Sequence, residues 1–330
     1  MAVPGAPLCS SECGLLQGGR PFRALDSDAV ASHTGGPVLG PSSGSTEGQG
    51  RKEALVDADP ASRGGGVTAL LIDGAPAIFD DLAHVALVNY GAYTSFRVEQ
   101  GGVRGLDLHL ARLEAEAAEL FGEPVGEARL RELMRTAVAG RGDCWLRVSL
   151  FSPEIGPRTP DWAGTPKVMI AVSPPPPPLC DSVRLQIQTY AREAPHLKHV
   201  ATFGLIRARR AARIAGFDDA LFVDIERQVS EGSLWNIGFI SAGEVIWPQA
   251  PMLAGVAQAL VQQGLGHSGL TGRTAPVHVD DLANFDGAFI CNSATPACAV
   301  ASIGDQAFAT SPAMIERLQA AWASNPVQPI

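Results

Sequence analysis

Lysine is almost missing from this chain. Of its 25 Lys and Arg residues only three are lysines: Lys52, Lys167 and Lys198. No apolar run approaches the roughly 20 residues of a membrane-crossing helix. The opening MAVPGAPLCSSECGLLQGG has neither the basic start nor the continuous apolar core of a secretory signal. Six cysteines in 330 residues do not make a disulfide framework. Cys9 and Cys13 lack neighbouring ligands for a metal and read as ordinary thiols of a reducing cytosol. No Lys/Arg cluster stands out against a net charge of −9, which argues against a nucleic-acid partner. No G-x-G-x-x-G follows a strand and no G-x-S-x-G occurs, so dinucleotide-binding and α/β-hydrolase folds have no support.

What is present is apolar material for a sizeable core, 46% hydrophobic against 18% charged residues, in a length that suits two domains. Residues 1–65 are rich in Gly, Ser, Ala and Asp, hold Phe22 as their single aromatic, and show no periodicity. They are expected to form a disordered extension, with translation starting near Val67. From VTALLIDG onward the pattern becomes regular. VTALLIDG and PAIFD read as a hairpin about Asp73-Gly74, and YTSFRVEQGGVRGL as another with Gly101-Gly102 at its turn. Two helices follow, LDLHLARLEAEAAELF stopped by Gly122 and EARLRELMRTAVAG, then the strands CWLRVSLFS and KVMIAVS. This gives a small α/β domain over 66–173.

Pro174 to Pro178 form a stiff polyproline run, expected as a connector over 174–179. The second domain, 180–330, opens with the strand VRLQIQTYA and the helix GLIRARRAARIAG. DDALFVDIERQVSEGSLWNIGFISAGEVIWP reads as three strands, with turns at Glu226-Arg227 and Ala242-Gly243. The helix AGVAQALVQQGL and a last strand, DGAFICNS, precede the tail. The fold class expected is α+β, with the larger C-terminal domain rich in strands.

The scarcity of lysine makes each one worth weighing. Arginine does not lose its proton near neutral pH, whereas lysine can, and the free amine is a nucleophile. Lys52 falls in the extension, and Lys167, directly after Pro166, reads as a solvent-facing edge charge. Lys198, in APHLKHVATFG, remains as the candidate covalent catalyst. A lysine that forms a Schiff base needs a carbonyl partner, most often pyridoxal phosphate, together with a carboxylate for the pyridine nitrogen and a cradle for the phosphate. Glu231 in EGSLWN, Arg112 in HLARL, the first N–H groups of the helix after MLAG, and the turn in CNSATP are residues of the required types. His196 and His199 flank Lys198, and at least one is expected to face water. His109 reads as a helix-packing residue, Cys291 and Cys298 as small buried fillers.

The order of these elements resembles that of the fold-type-IV pyridoxal-phosphate enzymes, which include branched-chain and D-amino-acid aminotransferases and aminodeoxychorismate lyase. YGAYTSFRVEQGGVRGLDLHLARL is similar to the family's opening, and a lysine, E-G-x-x-x-N, L-x-G and a late N-x-x-x-P turn follow in family order over about residues 67–310. The resemblance implies pyridoxal phosphate at the domain interface, a Schiff base on Lys198 and Glu231 at the pyridinium nitrogen. It implies a phosphate site of Arg112, Val256, Ala257, Ser293, Ala294 and Thr295, with Asn236 nearby and Thr94 and Arg97 on the substrate side.

Two departures stand out. Phe203 occupies the position, five residues after the lysine, where many members have a tyrosine that bonds the cofactor's phenolic oxygen. LAGVAQ replaces L-x-G-I-T-R, leaving Ala257 and Gln258 where a Thr and an Arg are usual. The leading expectation is a cytoplasmic, homodimeric class-IV aminotransferase taking an amino donor and a 2-oxo acid, with no nucleic-acid, membrane or metal partner. A lyase acting on aminodeoxychorismate is the alternative, suggested by H-L-K-H, F-I-C-N-S-A-T-P and Thr94-Ser95. A pyridoxal-phosphate-binding protein without turnover is a third reading, suggested by Phe203 and LAGVAQ.

Overall fold

A computed structural model describes residues 66–177, 179 and 181–330. The expectations for residues 1–65, with Cys9, Cys13 and Lys52, and for Pro178 lie outside the described residues. The chain from Gly66 opens with a hairpin of β1 (Ala69–Ile72) and β2 (Ala75–Pro76). Next come α1 (Phe79–Leu87), β3 (Ala92–Val98) and β4 (Gly102–Arg104). Two helices, α2 (Leu106–Phe121) and α3 (Glu127–Val138), precede β5 (Cys144–Phe151) and β6 (Lys167–Ser173). A five-stranded sheet results, in the order β2-β1-β6-β5-β3. One face of it packs on α2 and α3 through Phe96, Leu110, Leu130, Leu146 and Val148.

The rest builds a nine-stranded sheet. Its first members are β7 (Ser182–Thr189), β8 (Asp219–Val223) and β9 (Val229–Gly232), with α4 (Phe203–Ile214) between β7 and β8. Then come β10 (Asn236–Ser241), β11 (Glu244–Pro248), α5 (Val256–Gly264), β12 (Thr271–Ala275) and β13 (Gly287–Cys291). β14 (Cys298–Ile303), β15 (Gln306–Ala307), α6 (Pro312–Ala323) and β16 (Val327–Pro329) complete the chain. The strand order is β12-β11-β10-β13-β14-β7-β8-β9, with β15 paired to β14 as the ninth strand, yet terminal β9 also lies against β10 and β11, so the sheet curls on itself. Phe239, Ile290 and Val300 fill one core, and α5 and α6 cover another with Val261 and Leu318.

Several local expectations need correction. PAIFD continues into a helix, α1, rather than a strand, with Asp80 and Asp81 in the first turn where a helix favours negative charge. Its periodicity is inverted. Phe79 and Leu87 face outward, while buried Asp81 binds Lys167 Nζ at 2.7 Å. Lys167 therefore starts a central strand and holds an ion pair; it is no edge charge. The second hairpin turns on Gln100-Gly101, both at positive φ, one residue earlier than expected. The stretch 218–248 makes four strands, because buried Asp219 folds a corner into it. Ser233 Oγ donates to Asp219 Oδ1 at 2.6 Å and Trp235 Nε1 to Oδ2 at 3.0 Å. The tail is structured too: β16 pairs with β4, and DGAFICNS is followed by further strands.

The two sheets are stitched together at the segment that carries Lys198. Val200 N–H donates to Gly91 O and Tyr93 N–H to Lys198 O, each at 2.9 Å, and Ala92 pairs with His199 as an isolated bridge. Gly91 has φ +153, and a methyl group there would overlap the carbonyl of Leu150. We expect Gly91→Ala to lower stability by about 1–3 kcal/mol. Gly142→Ala, at a site with open space around it, should stay within about 0.5 kcal/mol. Urea unfolding midpoints of the two variants measure the difference.

Candidate active site

Lys198 enters its site held by the main chain. Glu116 Oε1 on α2 accepts its N–H at 2.6 Å, and its carbonyl accepts from Tyr93 on β3. The side chain is thereby directed into a cavity between the two sheets, whose walls include Tyr93, Arg112, Arg192, Glu231, Asn236 and Leu253. Burial, with Arg112 and Arg192 nearby, lowers the Lys198 amine from 10.5 to about 7, while Glu231 and Glu116 pull the other way. Burial likewise raises Glu231 to about 7, against the pull of Arg192 and a hydrogen bond from Leu253 N–H at 3.2 Å. Arg192 Nη1 stands 3.7 Å from Glu231 Oε1, both side chains nearly excluded from solvent. Three cationic groups (Lys198, Arg112, Arg192) thus face two carboxylates (Glu231, Glu116), an excess that an anionic ligand offsets.

Arg112 is positioned from behind. His109, Arg112 and Glu116 lie at helical spacing on one face of α2. Arg112 donates to Thr94 Oγ1, and that hydroxyl bonds His109 Nδ1 at 2.7 Å. His109 is held well below its ordinary range by burial, with Arg112 and Lys198 adding to the effect, so it stays neutral. Arg112 Nε is buried without a partner. Opposite it α5 begins. Its first backbone N–H groups precede the first helical bond, from Ala259 to Gly255 O, and Val256 and Ala257 line the cavity. The chain approaches closely here, since a Cβ on Gly255 would overlap Asn236 Oδ1. Asn236 Nδ2 in turn donates to Leu253 O at 2.9 Å, which fixes the turn before α5. A guanidinium with a spare donor beside a free helix start is an arrangement that binds a phosphoryl group.

The structure thus brings Lys198, Glu231, Arg112, Asn236, Val256, Ala257 and Ser293 to one cavity. Five expected residues stand elsewhere. Thr94 is fully buried under α2 as the support of Arg112, not on the substrate side. Arg97 lines, with Arg104, an adjoining hollow that shares Val256, Ala257 and Ser293 with the Lys198 cavity, and bonds the carbonyl of Pro176 at 3.4 Å. Ala294 lines that hollow too, and its N–H is already taken by Asn292 Oδ1 at 2.9 Å. Thr295 N–H is taken by the same oxygen, and its hydroxyl accepts from Leu179 N–H at 3.2 Å. Phe203 is 76% exposed, because α4 turns Leu205 inward instead. His196 faces water and meets Glu119 at 2.8 Å, whereas His199 Nε2 bonds the carbonyl of Glu193.

Sequence reasoning missed Tyr93, Arg192 and Glu116. Alternation along β3 marks an inward residue without telling a functional tyrosine from a packing one, and Arg192 is one of many arginines. Glu116, in LEAEAAEL, has the look of a solvated helix face. Only its i, i+4 spacing from Arg112 hints otherwise.

The comparisons agree with this geometry. The family model described as Amino-transferase class IV matches residues 91–303. Branched-chain amino acid aminotransferase from Escherichia coli superposes with a TM-score of 0.66 at 19% identity, covering 77% of this chain and 92% of that one. The branched-chain aminotransferase of Thermoproteus uzoniensis, solved with norvaline, gives 0.66 at 20% identity, covering 78% and 94%. A hypothetical aminotransferase from Mycobacterium tuberculosis, in its PLP-bound form, gives 0.63 at 20% identity, covering 77% and 99%. A search of curated proteins gives no match. The family match spans more than half of the chain, which therefore belongs to the class IV aminotransferases, and the structural likenesses give it their α+β, type-IV fold.

The paired shifts set a pH profile for the ligand-free protein. Glu231, raised from 4.5 to about 7, binds more protons folded than unfolded between those values, so its contribution to stability is lost as pH rises through about 7. Lys198, lowered from 10.5 to about 7, binds fewer protons folded, so stability recovers as pH rises from about 7 towards 10.5. Melting temperature should pass through a trough near neutrality. Lys198→Met should remove the alkaline limb and Glu231→Gln the acid limb.

Proposed function

We propose that this chain is a pyridoxal-phosphate-dependent aminotransferase that moves an amino group between an amino acid and a 2-oxo acid, with Lys198 as its covalent residue. The observation that carries the reading is a buried amine lowered to about 7 in one cavity with a buried carboxylate, a guanidinium and a helix start. The residues fit the cofactor. Its phosphoryl group suits Arg112, whose buried Nε has no partner, and the N–H groups at the start of α5. With Ala257 and Gln258 in place of hydroxyl and guanidinium side chains, that end relies on backbone donors and Ser293. Glu231 suits the ring nitrogen. The names of relatives solved with pyridoxamine phosphate or in PLP-bound form support the choice.

Bound there, pyridoxal phosphate supplies an aldehyde carbon and an electron-accepting ring. The protein's own groups do the rest. Lys198 Nζ, with much of its population unprotonated near pH 7, is a competent nucleophile and takes a proton from the Cα of the amino donor. Glu231 would hold the ring nitrogen, and Arg192 biases that carboxyl towards its ionised form. Leu205, Trp235 and Leu253 wall the cavity against water. Exposed Phe79, Leu87, Phe203 and Ile206 support a homodimer, to be tested by sedimentation.

Purified protein supplied with pyridoxal phosphate should turn yellow, and borohydride should fix a pyridoxyl group on the peptide containing Lys198. Lys198→Ala should lose the adduct and about 10²–10⁴-fold or more of the turnover. A colourless protein, or an adduct on Lys167, contradicts the reading. Pyruvate released from aminodeoxychorismate without an oxo-acid acceptor would select the lyase instead.

A further inference from the structure

Phe203, exposed at the start of α4, leaves the site without the hydroxyl that many relatives place there. Another hydroxyl is close at hand. Tyr93 is only 7% exposed and lines the Lys198 cavity. Two cations lie over its ring, the Arg147 guanidinium carbon at 3.6 Å from the centroid and Lys198 Nζ at 4.9 Å. Arg147 comes from β5, two residues along the ladder from the Tyr93–Ser149 pair, and so lies on the same face of the sheet. The hydrogen bond from Tyr93 N–H to Lys198 O sets the tyrosine and the lysine in fixed relation. The Tyr93 hydroxyl itself has no hydrogen-bond partner among the described residues. The hydroxyl oxygen is not shut off from solvent, so it is free to donate to a ligand bound in the cavity.

We propose that Tyr93 is a catalytic residue of this site. Its ring holds the Lys198 amine by cation–π attraction, and its hydroxyl donates a hydrogen bond to the phenolic oxygen of bound pyridoxal phosphate, standing in for the tyrosine missing at Phe203. The inference rests on the functional reading above. A ring under Lys198 favours the ammonium and so opposes the lowering caused by burial, Arg112 and Arg192. A donor to the phenolic oxygen favours its ionised form and lowers the pH at which the bound cofactor changes protonation. Removing each part therefore moves a different titration.

Tyr93→Phe and Tyr93→Leu separate the two parts in the full chain. Arg112 and Glu116 on α2, Arg192 ahead of Lys198 and Glu231 on β9 stay unchanged in both variants. In loaded protein, Tyr93→Phe should keep the borohydride adduct at Lys198. The midpoint of the cofactor's absorbance titration should rise by about 1–2 units, and turnover should fall about 10–100-fold. Adding Phe203→Tyr should restore nothing, since that side chain points to solvent. In cofactor-free protein, competitive amine labelling should give Tyr93→Phe the wild-type Lys198 midpoint and lower that of Tyr93→Leu by about half a unit to one unit. An unmoved absorbance midpoint in Tyr93→Phe, or rescue by Phe203→Tyr, overturns the hydroxyl's role. An unmoved labelling midpoint in Tyr93→Leu overturns the ring's role. A wild-type protein that takes up no cofactor overturns the functional reading and the hydroxyl's role together, while labelling still decides the ring's.

Discussion

The site depends on how the main chain of Lys198 is held. Its N–H is bound by a carboxylate of α2 and its carbonyl by the N–H of Tyr93 on β3, so elements of the first sheet fix a residue that belongs to the second. The same two elements supply more of the site: α2 carries Arg112 and Glu116, and β3 carries Tyr93 and, behind Arg112, Thr94. A shift of either would move the nucleophile and its surroundings together. Gly91 permits this join, because a side chain there would collide with the backbone of β5.

Electrostatics follow from that placement. Burying an ammonium beside two guanidiniums is unfavourable, and the two carboxylates offset it only in part. Lysine relieves the stress by releasing its proton, which arginine at the same position would not do. Glu231 answers the same burial by holding its proton more tightly. Strain that weakens the ligand-free protein near neutrality is thus what readies the amine for attack, and an anionic ligand at Arg112 and α5 removes the positive excess.

Much of this was legible in the sequence, for reasons that differ by element. Lys198 was visible because lysine is rare, and Glu231, Asn236 and the start of α5 because they follow it in family order. Asn236 gained a role only from the structure, as the tether of the turn before α5. Helix α1 was hidden because its apolar side chains face outward and its acid inward, the reverse of the usual pattern. Phe203 drew attention by position alone. Its backbone begins a helix whose inward residue is Leu205, and no periodicity in so short a stretch could tell which of the two would turn to the cavity. Tyr93 and Arg192 needed three dimensions, since each acts through partners far along the chain.

The scarcity of lysine also makes the central claim directly measurable. Protein labelled with ¹³C at the lysine side chains, free of cofactor, should give signals from only three lysines in a pH titration. One signal should titrate near 7, and it should vanish in Lys198→Met. Three signals all titrating near 10.5 would contradict the account.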